Sequence, residues 1–267
     1  MYVLGIDGGQ TGTTCLLAAA DGTILGRGLG GHLVHLAQPD GQALMRTAFG
    51  QCIGQAWQAA ALSPQPCLAA YLGLTGVEAG TPEARTAEQI ASEIIAAKTI
   101  IAANDATSAL AGALLGRPGV VVIAGTGSIA LGINERGEEQ RAGGWGWLLG
   151  DEGSAAYVGH QGLLAAIHAW DGRGPSTRLL ERFRSHYHLA DFYGLKRIIY
   201  GSQLEARLFA DLAPVVVEAA QEGDAIARRI VREAAAELAC LAAAALRRLD
   251  FTSASVPVAP IGGMFRA

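Results

Sequence analysis

Two stretches of the chain decide its fold: Val3-Leu4-Gly5-Ile6-Asp7-Gly8-Gly9-Gln10-Thr11-Gly12-Thr13-Thr14 and Val120-Val121-Val122-Ile123-Ala124-Gly125-Thr126-Gly127-Ser128-Ile129. Each has an apolar, β-branched run, a turn of glycines and hydroxyl residues, and a second apolar run, the pattern of a β-hairpin. Glycine lets the backbone approach a ligand closely, and N–H groups exposed at such a tip can hold a phosphate. Two tips, one in each half, therefore predict a nucleotide held in a cleft between two similar domains.

The plainer alternative is that each turn is only a tight turn, which is the usual role of a lone Asp-Gly-Gly or Gly-Thr-Gly. Finding two turns, each set between two strands, favours phosphate binding. The sequence contains no G-x-x-x-x-G-K-[ST] motif, and neither turn opens directly into a helix as a dinucleotide-binding turn does. The two commonest nucleotide-binding motifs are therefore excluded.

The composition limits the classes of partner. The 267 residues are 51% hydrophobic and only 16% charged, with a net charge of −4, so a large core is easily supplied. Without a basic block, nucleic acid is not expected as a partner. We also expect no membrane partner, because no apolar run reaches the roughly 18–20 residues of a membrane span, and the N-terminus lacks the basic region of a signal peptide.

The cysteines favour a cytoplasmic protein with reduced thiols. Cys15, Cys52, Cys67 and Cys240 are scattered, with no C-x-x-C pair. This spacing argues against a zinc site or an iron–sulfur cluster within one chain. We expect most of these thiols to be buried.

The order of predicted elements repeats once along the chain. Apolar patterning and turn residues predict strands at 2–7, 13–20, 23–30, 67–75, 98–103, 119–124, 128–134, 138–142 and 256–261. They predict helices at 40–61, 83–97, 104 or 105 to 115, 152–169 and 224–249, with more helices between 176 and 248. Thr81 is the expected N-cap of the second helix. A break at Gly116–Gly119 divides the chain into an N-terminal lobe, 1–116, and a C-terminal lobe with a helical insert, 117–267.

Two carboxylates follow strands of the first lobe. Asp7 stands at the mouth of the first turn, where it could hold Mg²⁺ through water or only cap its own turn. Asp105 closes a strand and opens a helix, where it could be a helix cap, a role that Asn104 or Thr107 could share.

The segment from Gly143 to Ser154, Gly-Gly-Trp-Gly-Trp-Leu-Leu-Gly-Asp-Glu-Gly-Ser, is the most specific stretch. Trp145 beside Asp151 and Glu152 suits a sugar, whose apolar face stacks on an indole while carboxylates accept its hydroxyls. Alternatively, Trp145 and Trp147 are buried between lobes and the two acids favour the start of the next helix.

This segment resembles that of the N-acetylglucosamine kinase group of the BadF/BadG/BcrA/BcrD ATPase family, within the actin, hexokinase and heat-shock-70 superfamily. Asp7-Gly8-Gly9 with Thr11 and Thr13 resembles its first phosphate motif, and Gly125-Thr126-Gly127-Ser128 its second. Asn104-Asp105-Ala106 is similar to the segment of its catalytic aspartate. Pro260-Ile261-Gly262-Gly263-Met264-Phe265 is similar to its adenosine motif. The matches occur in family order over residues 3 to 265.

The resemblance implies a two-lobed α/β fold of the ribonuclease-H-like, actin-like ATPase type, with duplicated βββαβα domains and a nucleotide cleft between the lobes. It implies transfer of the γ-phosphate of ATP to an amino sugar, N-acetylglucosamine or glucosamine, at O6. Asp105 would be the general base and Asp7 would hold Mg²⁺ through water. The remaining implied contacts are with ATP, from Gly8, Gly9, Thr11, Thr13, Gly125, Thr126, Gly127, Ser128, Gly262 and Gly263, and with the sugar, from His35, Thr75, Gly76, Asp105, Trp145, Asp151 and Glu152.

Two features depart from the family. The loop Gly30–Leu36 carries His32 and His35 where the family has a substrate-binding asparagine, and Val77 is bulky for a loop that meets the sugar. The sequence also stops at Ala267, directly after the adenosine motif, whereas the family usually continues. We therefore expect either a shortened chain or a reduced second lobe, and an exposed strand edge there would favour a homodimer.

Two other functions remain open. One is an ATPase activator of a radical-type CoA reductase or dehydratase, a class that holds an iron–sulfur cluster through cysteines near the second phosphate motif. Ala124 precedes Gly125 here, and the nearest cysteines are Cys67 and Cys240, which argues against that function. The other is a non-catalytic sugar or nucleotide sensor, against which the presence of Asp7 and Asp105 argues weakly.

Overall fold

The computed structural model describes residues 1–9, 12–34, 36, 38–202 and 205–266. The chain divides into two compact units, Met1–Ala109 and Leu110–Ala267. The division falls inside a helix, whereas the sequence places the boundary after Gly116. Each unit has its own sheet and its own hydrophobic clusters.

Unit 1 contains a five-stranded sheet in the order β3-β2-β1-β4-β5. Its elements are β1 (Tyr2–Gly9), β2 (Gly12–Ala19), β3 (Ile24–Gly30), α1 (Gly41–Ala59), β4 (Cys67–Leu74), α2 (Pro82–Ser92), β5 (Ala97–Asn104) and the start of α3 (Asp105–Leu114). β1 pairs antiparallel with β2 and parallel with β4, which pairs parallel with β5. The carboxyl ends of β1, β4 and β5 therefore lie side by side at one edge.

Unit 2 repeats this arrangement with a four-stranded sheet in the order β8-β7-β6-β9. Its elements after α3 are β6 (Gly119–Ala124), β7 (Ser128–Ile133), β8 (Glu139–Gly143), α4 (Ala155–Trp170), α5 (Leu179–His186), α6 (Gly194–Gly201), α7 (Ala206–Ala210), α8 (Ala213–Gln221), α9 (Ala225–Arg248) and β9 (Val258–Ile261). The antiparallel meander β6-β7-β8 corresponds to β1-β2-β3, and β9 runs parallel to β6. The predicted duplicated α/β plan is confirmed.

Two helix ends differ from the sequence prediction by three residues or more. α2 ends at Ser92 rather than 97, because the chain must turn before β5 begins at Ala97. α4 begins at Ala155 rather than 152, because Asp151 (φ 58°) and Gly153 (φ 82°) adopt left-handed backbone conformations that a right-handed helix does not allow. The predicted cap Thr81 is confirmed, since its side chain accepts the N–H of Ala84. None of the described helices is long and apolar enough to cross a membrane.

Candidate functional site

The first phosphate motif lies at the hairpin of β1 and β2. Gly8 and Gly9 are the last residues of β1 rather than part of the turn, and Gly9 pairs with Gly12 of β2. Thr13 is buried, and its hydroxyl donates to the carbonyl of Gly31 at 2.8 Å. Thr11, predicted to bind phosphate, lies outside the described residues, as does the predicted sugar contact His35.

The parallel register brings Asp7, Thr75 and Asp105 to the same edge of the sheet. Asp7 pairs with Gly73 of β4, which pairs with Ala103 of β5. The hydroxyl of Thr75 donates to Oδ2 of Asp105 at 2.7 Å, and the N–H of Thr75 donates to the carbonyl of Gly8 at 3.0 Å. Thr75 therefore links the first phosphate motif to the predicted base. Open α/β sheets bind ligands just beyond the carboxyl ends of their parallel strands, which is where these residues lie.

The electrostatics of this edge suit a cation. Partial burial and then the neighbouring charge of Asp105 raise the pKa of Asp7. Two neighbouring carboxylates also attract Mg²⁺, which uses one or two carboxylates together with phosphates and water. Among the described residues no group of three or more histidines, cysteines and acids could hold a metal by itself. Asp7 and Asp105 thus fit an ion that arrives with phosphate.

Asp105 does not cap α3 through its own side chain. The side chain of Asn104 accepts the N–H of Ala106 at 3.0 Å, and its amide donates to Glu78 at 3.2 Å. α3 also lies so close to β4 that a Cβ at Gly73 would overlap Ser108. The capping function thus belongs to Asn104, which leaves the Asp105 carboxylate to Thr75. The role of Glu78 was missed from the sequence, where nothing marks a contact across 26 residues.

Val77 and His32, two residues that differ from what the family resemblance leads one to expect, lie in different surroundings. Val77 is buried in the core of unit 1 with Leu33, so its bulk fills the core. Gly76 has a φ of 75°, a conformation that favours glycine. His32 is exposed.

The second phosphate motif is a three-residue turn between β6 and β7. The N–H of Gly125 donates to the carbonyl of Gly127, and the first N–H groups of α4, on Ala155 and Ala156, donate to the carbonyls of Gly125 and Thr126 at 2.8 and 3.3 Å. The buried hydroxyl of Ser128 donates to the carbonyl of Glu152 at 2.7 Å. These bonds fix the carbonyl side of the turn.

The Gly143–Ser154 segment contains both exposed and buried side chains. Trp145 is 66% exposed, with the guanidinium of Arg141 at 5.3 Å from its ring centroid, whereas Trp147 packs on Phe209. Asp151 is only 8% exposed, and its carboxylate lies against Gly127. Burial raises its pKa, while the nearby N–H groups of Ser128 and Gly146 act in the opposite direction. The segment therefore joins the predicted sugar residues to the second phosphate turn.

Three residues of this region were not singled out from the sequence. Arg141 belongs to β8, and its guanidinium lies over the ring of Trp145. No sequence motif marks this contact. Ser154 caps α4 through its hydroxyl, which accepts the N–H of Tyr157. Gly153 lies against Ala234 and Leu238 of α9 at a φ of 82°. The Gly-Ser pair before an apolar run is a cap signal that could have predicted the helix start.

The predicted adenosine motif follows β9 at the same end of the sheet as the second turn, because Ile261 pairs in parallel with Ile123. Gly262 has a φ of 114°, and a Cβ there would overlap the backbone of Ala124. Beside it is a mostly apolar pocket of about 340 Å³, whose lining includes Gly153, Leu238, Pro260, Met264 and Phe265. A pocket of this size and character suits a nucleoside.

Comparison with known sequences supports the nucleotide-binding interpretation. The model of the BadF/BadG/BcrA/BcrD ATPase family matches residues 4–267. An N-acetylmuramic acid/N-acetylglucosamine kinase from Clostridium acetobutylicum is 32% identical over 265 residues, 98% of this chain and 85% of that protein. An N-acetyl-D-glucosamine kinase from Dictyostelium discoideum is 38% identical over 148 residues, 55% of this chain and 46% of that protein.

Comparison with solved structures agrees. A Chromobacterium violaceum protein provisionally assigned as an N-acetylglucosamine kinase superposes with a TM-score of 0.79 at 32% identity, over 99% of this chain and 88% of that one. A Porphyromonas gingivalis protein with the same provisional assignment gives a TM-score of 0.72 at 24% identity, over 98% and 86%. With the duplicated sheets and the family match over residues 4–267 together, this chain belongs to the BadF/BadG/BcrA/BcrD ATPase family.

Proposed function

We propose that this chain is an ATP-dependent amino-sugar kinase, a phosphotransferase with an alcohol group as acceptor, which phosphorylates N-acetylglucosamine or glucosamine at O6. The observation that carries the proposal is the Asp105 carboxylate, which accepts a hydroxyl hydrogen bond from Thr75 at 2.7 Å beside Asp7. A substrate hydroxyl in place of the Thr75 hydroxyl would meet the same carboxylate oxygen. The kinase names of the relatives support this assignment.

In the proposed reaction each unit carries part of the machinery. In unit 1, Asp105 accepts the proton of the sugar hydroxyl as that oxygen attacks the γ-phosphorus of ATP. Asp7 is the residue that would hold Mg²⁺, which neutralises phosphate charge when bound. In unit 2, the Gly125–Ser128 turn binds phosphate, Gly262 and Gly263 contact the nucleoside, and Trp145 with Asp151 and Glu152 holds the sugar. Phosphoryl transfer needs little from the protein beyond positioning and charge neutralisation.

The test is ADP release from Mg-ATP with N-acetylglucosamine, glucosamine, N-acetylmuramic acid or glucose, for wild type and Asp105→Asn. We expect release that depends on an amino sugar and falls about 10²- to 10⁴-fold in Asp105→Asn, the usual contribution of a general base. Asp21→Asn, in the β2–β3 turn, is the matched control with unchanged rate. Phosphorus NMR of the product identifies the phosphorylated oxygen.

Two results contradict the proposal. ATP hydrolysis indifferent to every sugar would favour the reductase activator, for which Cys15, Cys52 and Cys67 are buried and Cys240 is exposed. Sugar binding without turnover in wild type would favour a sensor.

A further inference from the structure

Asp151 occupies an unusual place for a residue predicted to bind a sugar. If Gly127 carried a Cβ, that atom would lie 2.5 Å from Oδ2 of Asp151 and 3.5 Å from Oδ1. The carboxylate therefore fills the space beside Gly127, the last residue of the second phosphate turn. It is held there at a left-handed backbone φ of 58° and is 8% exposed.

The other contacts of the turn come from the main chain and are fixed by the fold. The carbonyls of Gly125 and Thr126 accept from the start of α4, and Ser128 is bonded to the carbonyl of Glu152. The Asp151 carboxylate differs, because it belongs to a side chain and accepts hydrogen bonds from the N–H groups of Ser128 and Gly146. It therefore competes with a phosphate for the Ser128 N–H of the turn, and its rotation away would break only its own contacts.

A carboxylate in this place opposes the binding of an anion. Two negative charges close together repel one another more strongly near a protein surface than in bulk water, because the effective dielectric constant there is lower. Burial already raises the pKa of Asp151, and Glu152 adds to this effect. Sugar hydroxyls that draw the carboxylate away would have to replace the N–H groups of Ser128 and Gly146 as its donors.

We propose that Asp151 couples sugar binding to ATP binding: without sugar its carboxylate lies against Gly127 and repels phosphate, and an amino sugar draws it away. The inference rests on the proposed function, since it takes Asp151 as a sugar contact. Coupling between two ligands is reciprocal, so ATP raises sugar affinity by the same factor that sugar raises ATP affinity. The device favours ATP binding when an acceptor is present and so limits wasteful hydrolysis.

The test is the dissociation constant of a non-hydrolysable ATP analogue with Mg²⁺, measured by calorimetry with and without saturating N-acetylglucosamine. In wild type we expect sugar to tighten analogue binding about five-fold or more, within the usual range of coupling. In Asp151→Asn we expect the sugar-free protein to bind the analogue more tightly than sugar-free wild type, because the repelling charge is gone. A residue with only a structural role would weaken binding instead.

Glu152→Gln is the matched control, since it removes the adjacent charge but its carboxylate does not lie against Gly127, and we expect no comparable gain. Gly127→Ala is a second variant that keeps the charge and displaces the carboxylate sterically, so its analogue affinity should lose the dependence on sugar. The proposal is overturned if sugar binds wild type yet Asp151→Asn binds the analogue no more tightly. If wild type binds no amino sugar, the proposed function fails as well, and direct sugar titration distinguishes the two cases.

Discussion

At the scale of single residues, two features occur where β1, β4 and β5 of unit 1 end. Asp7 has a raised pKa, and Thr75 donates a hydrogen bond to Asp105. The raised pKa of Asp7 and the Thr75–Asp105 bond both arise because β1, β4 and β5 end together. Groups whose pKa values are displaced in this way are frequent at functional sites. They also cost stability, so function and stability should respond in opposite directions to their removal.

Asp7→Asn should therefore bind Mg-ATP about 10- to 100-fold more weakly, the usual loss for a residue that orients a metal shell, yet unfold at a higher temperature at pH 7. The raised pKa means that the folded state binds the Asp7 proton more tightly than the unfolded state. Wild type thus loses stability as pH rises through the interval from the ordinary aspartate pKa, about 3.9, to the raised folded value. Thermal melts of both proteins should converge below about pH 3; a wild type that is more stable at pH 7 would contradict this.

Thr75→Val removes the hydroxyl that meets Asp105 while keeping the shape of the side chain. We expect kcat to fall, because the Asp105 carboxylate loses its 2.7 Å hydrogen bond from Thr75 and with it a fixed orientation. Thr75→Ser keeps the hydroxyl and should recover most of the rate. A full rate in Thr75→Val together with a loss in Thr75→Ser would show that the methyl group matters and the hydrogen bond does not.

At the scale of elements, the start of α4 supports the second phosphate turn. Ser154 caps the helix, and the next two N–H groups hold the carbonyls of the turn. Ser154→Ala should lower the free energy of unfolding by about 1 kcal/mol, as the loss of a cap usually does, and should also raise KM for ATP. Thr81→Ala removes the cap of α2 with a similar loss of stability and is expected to leave KM for ATP unchanged. An identical effect on KM in both variants would argue against a link between α4 and phosphate.

The contact between α3 and β4 can be tested in the same way. Gly73→Ala places a Cβ against Ser108, so it should destabilise unit 1 by about 1–3 kcal/mol, the usual cost of overpacking. Ser108→Ala removes the hydroxyl oxygen, the nearest atom, and should reduce that cost in the double variant. Urea unfolding of the four proteins gives the coupling energy, and strict additivity would contradict the contact.

At the scale of the whole molecule, the two units have separate hydrophobic clusters, so damage to one core should be felt mainly in its own unit. Leu72 is fully buried in unit 1 and Val216 in unit 2. Leu72→Ala should cost about 2–5 kcal/mol and speed hydrogen exchange chiefly in α1 and α2. Val216→Ala, the matched change, should do so in α4 and α8. Exchange that rises equally in both units for either variant would show a single cooperative fold.

The sequence by itself determined the elements and the family. The hairpins, the repeated meander, the cap at Thr81 and the glycine turns depend on residues close together in the chain, and short-range patterns report them. The side-chain contacts between distant residues became clear only from the three-dimensional structure. Thr75 reaches Asp105 because two parallel strands end in register. Val77 enters the core because its N–H bonds back to the carbonyl of Leu74 at the end of β4. Asp151 meets Gly127 beside the bonds that join the start of α4 to the turn. These contacts join residues 24 to 30 positions apart or depend on packing, which no local pattern specifies.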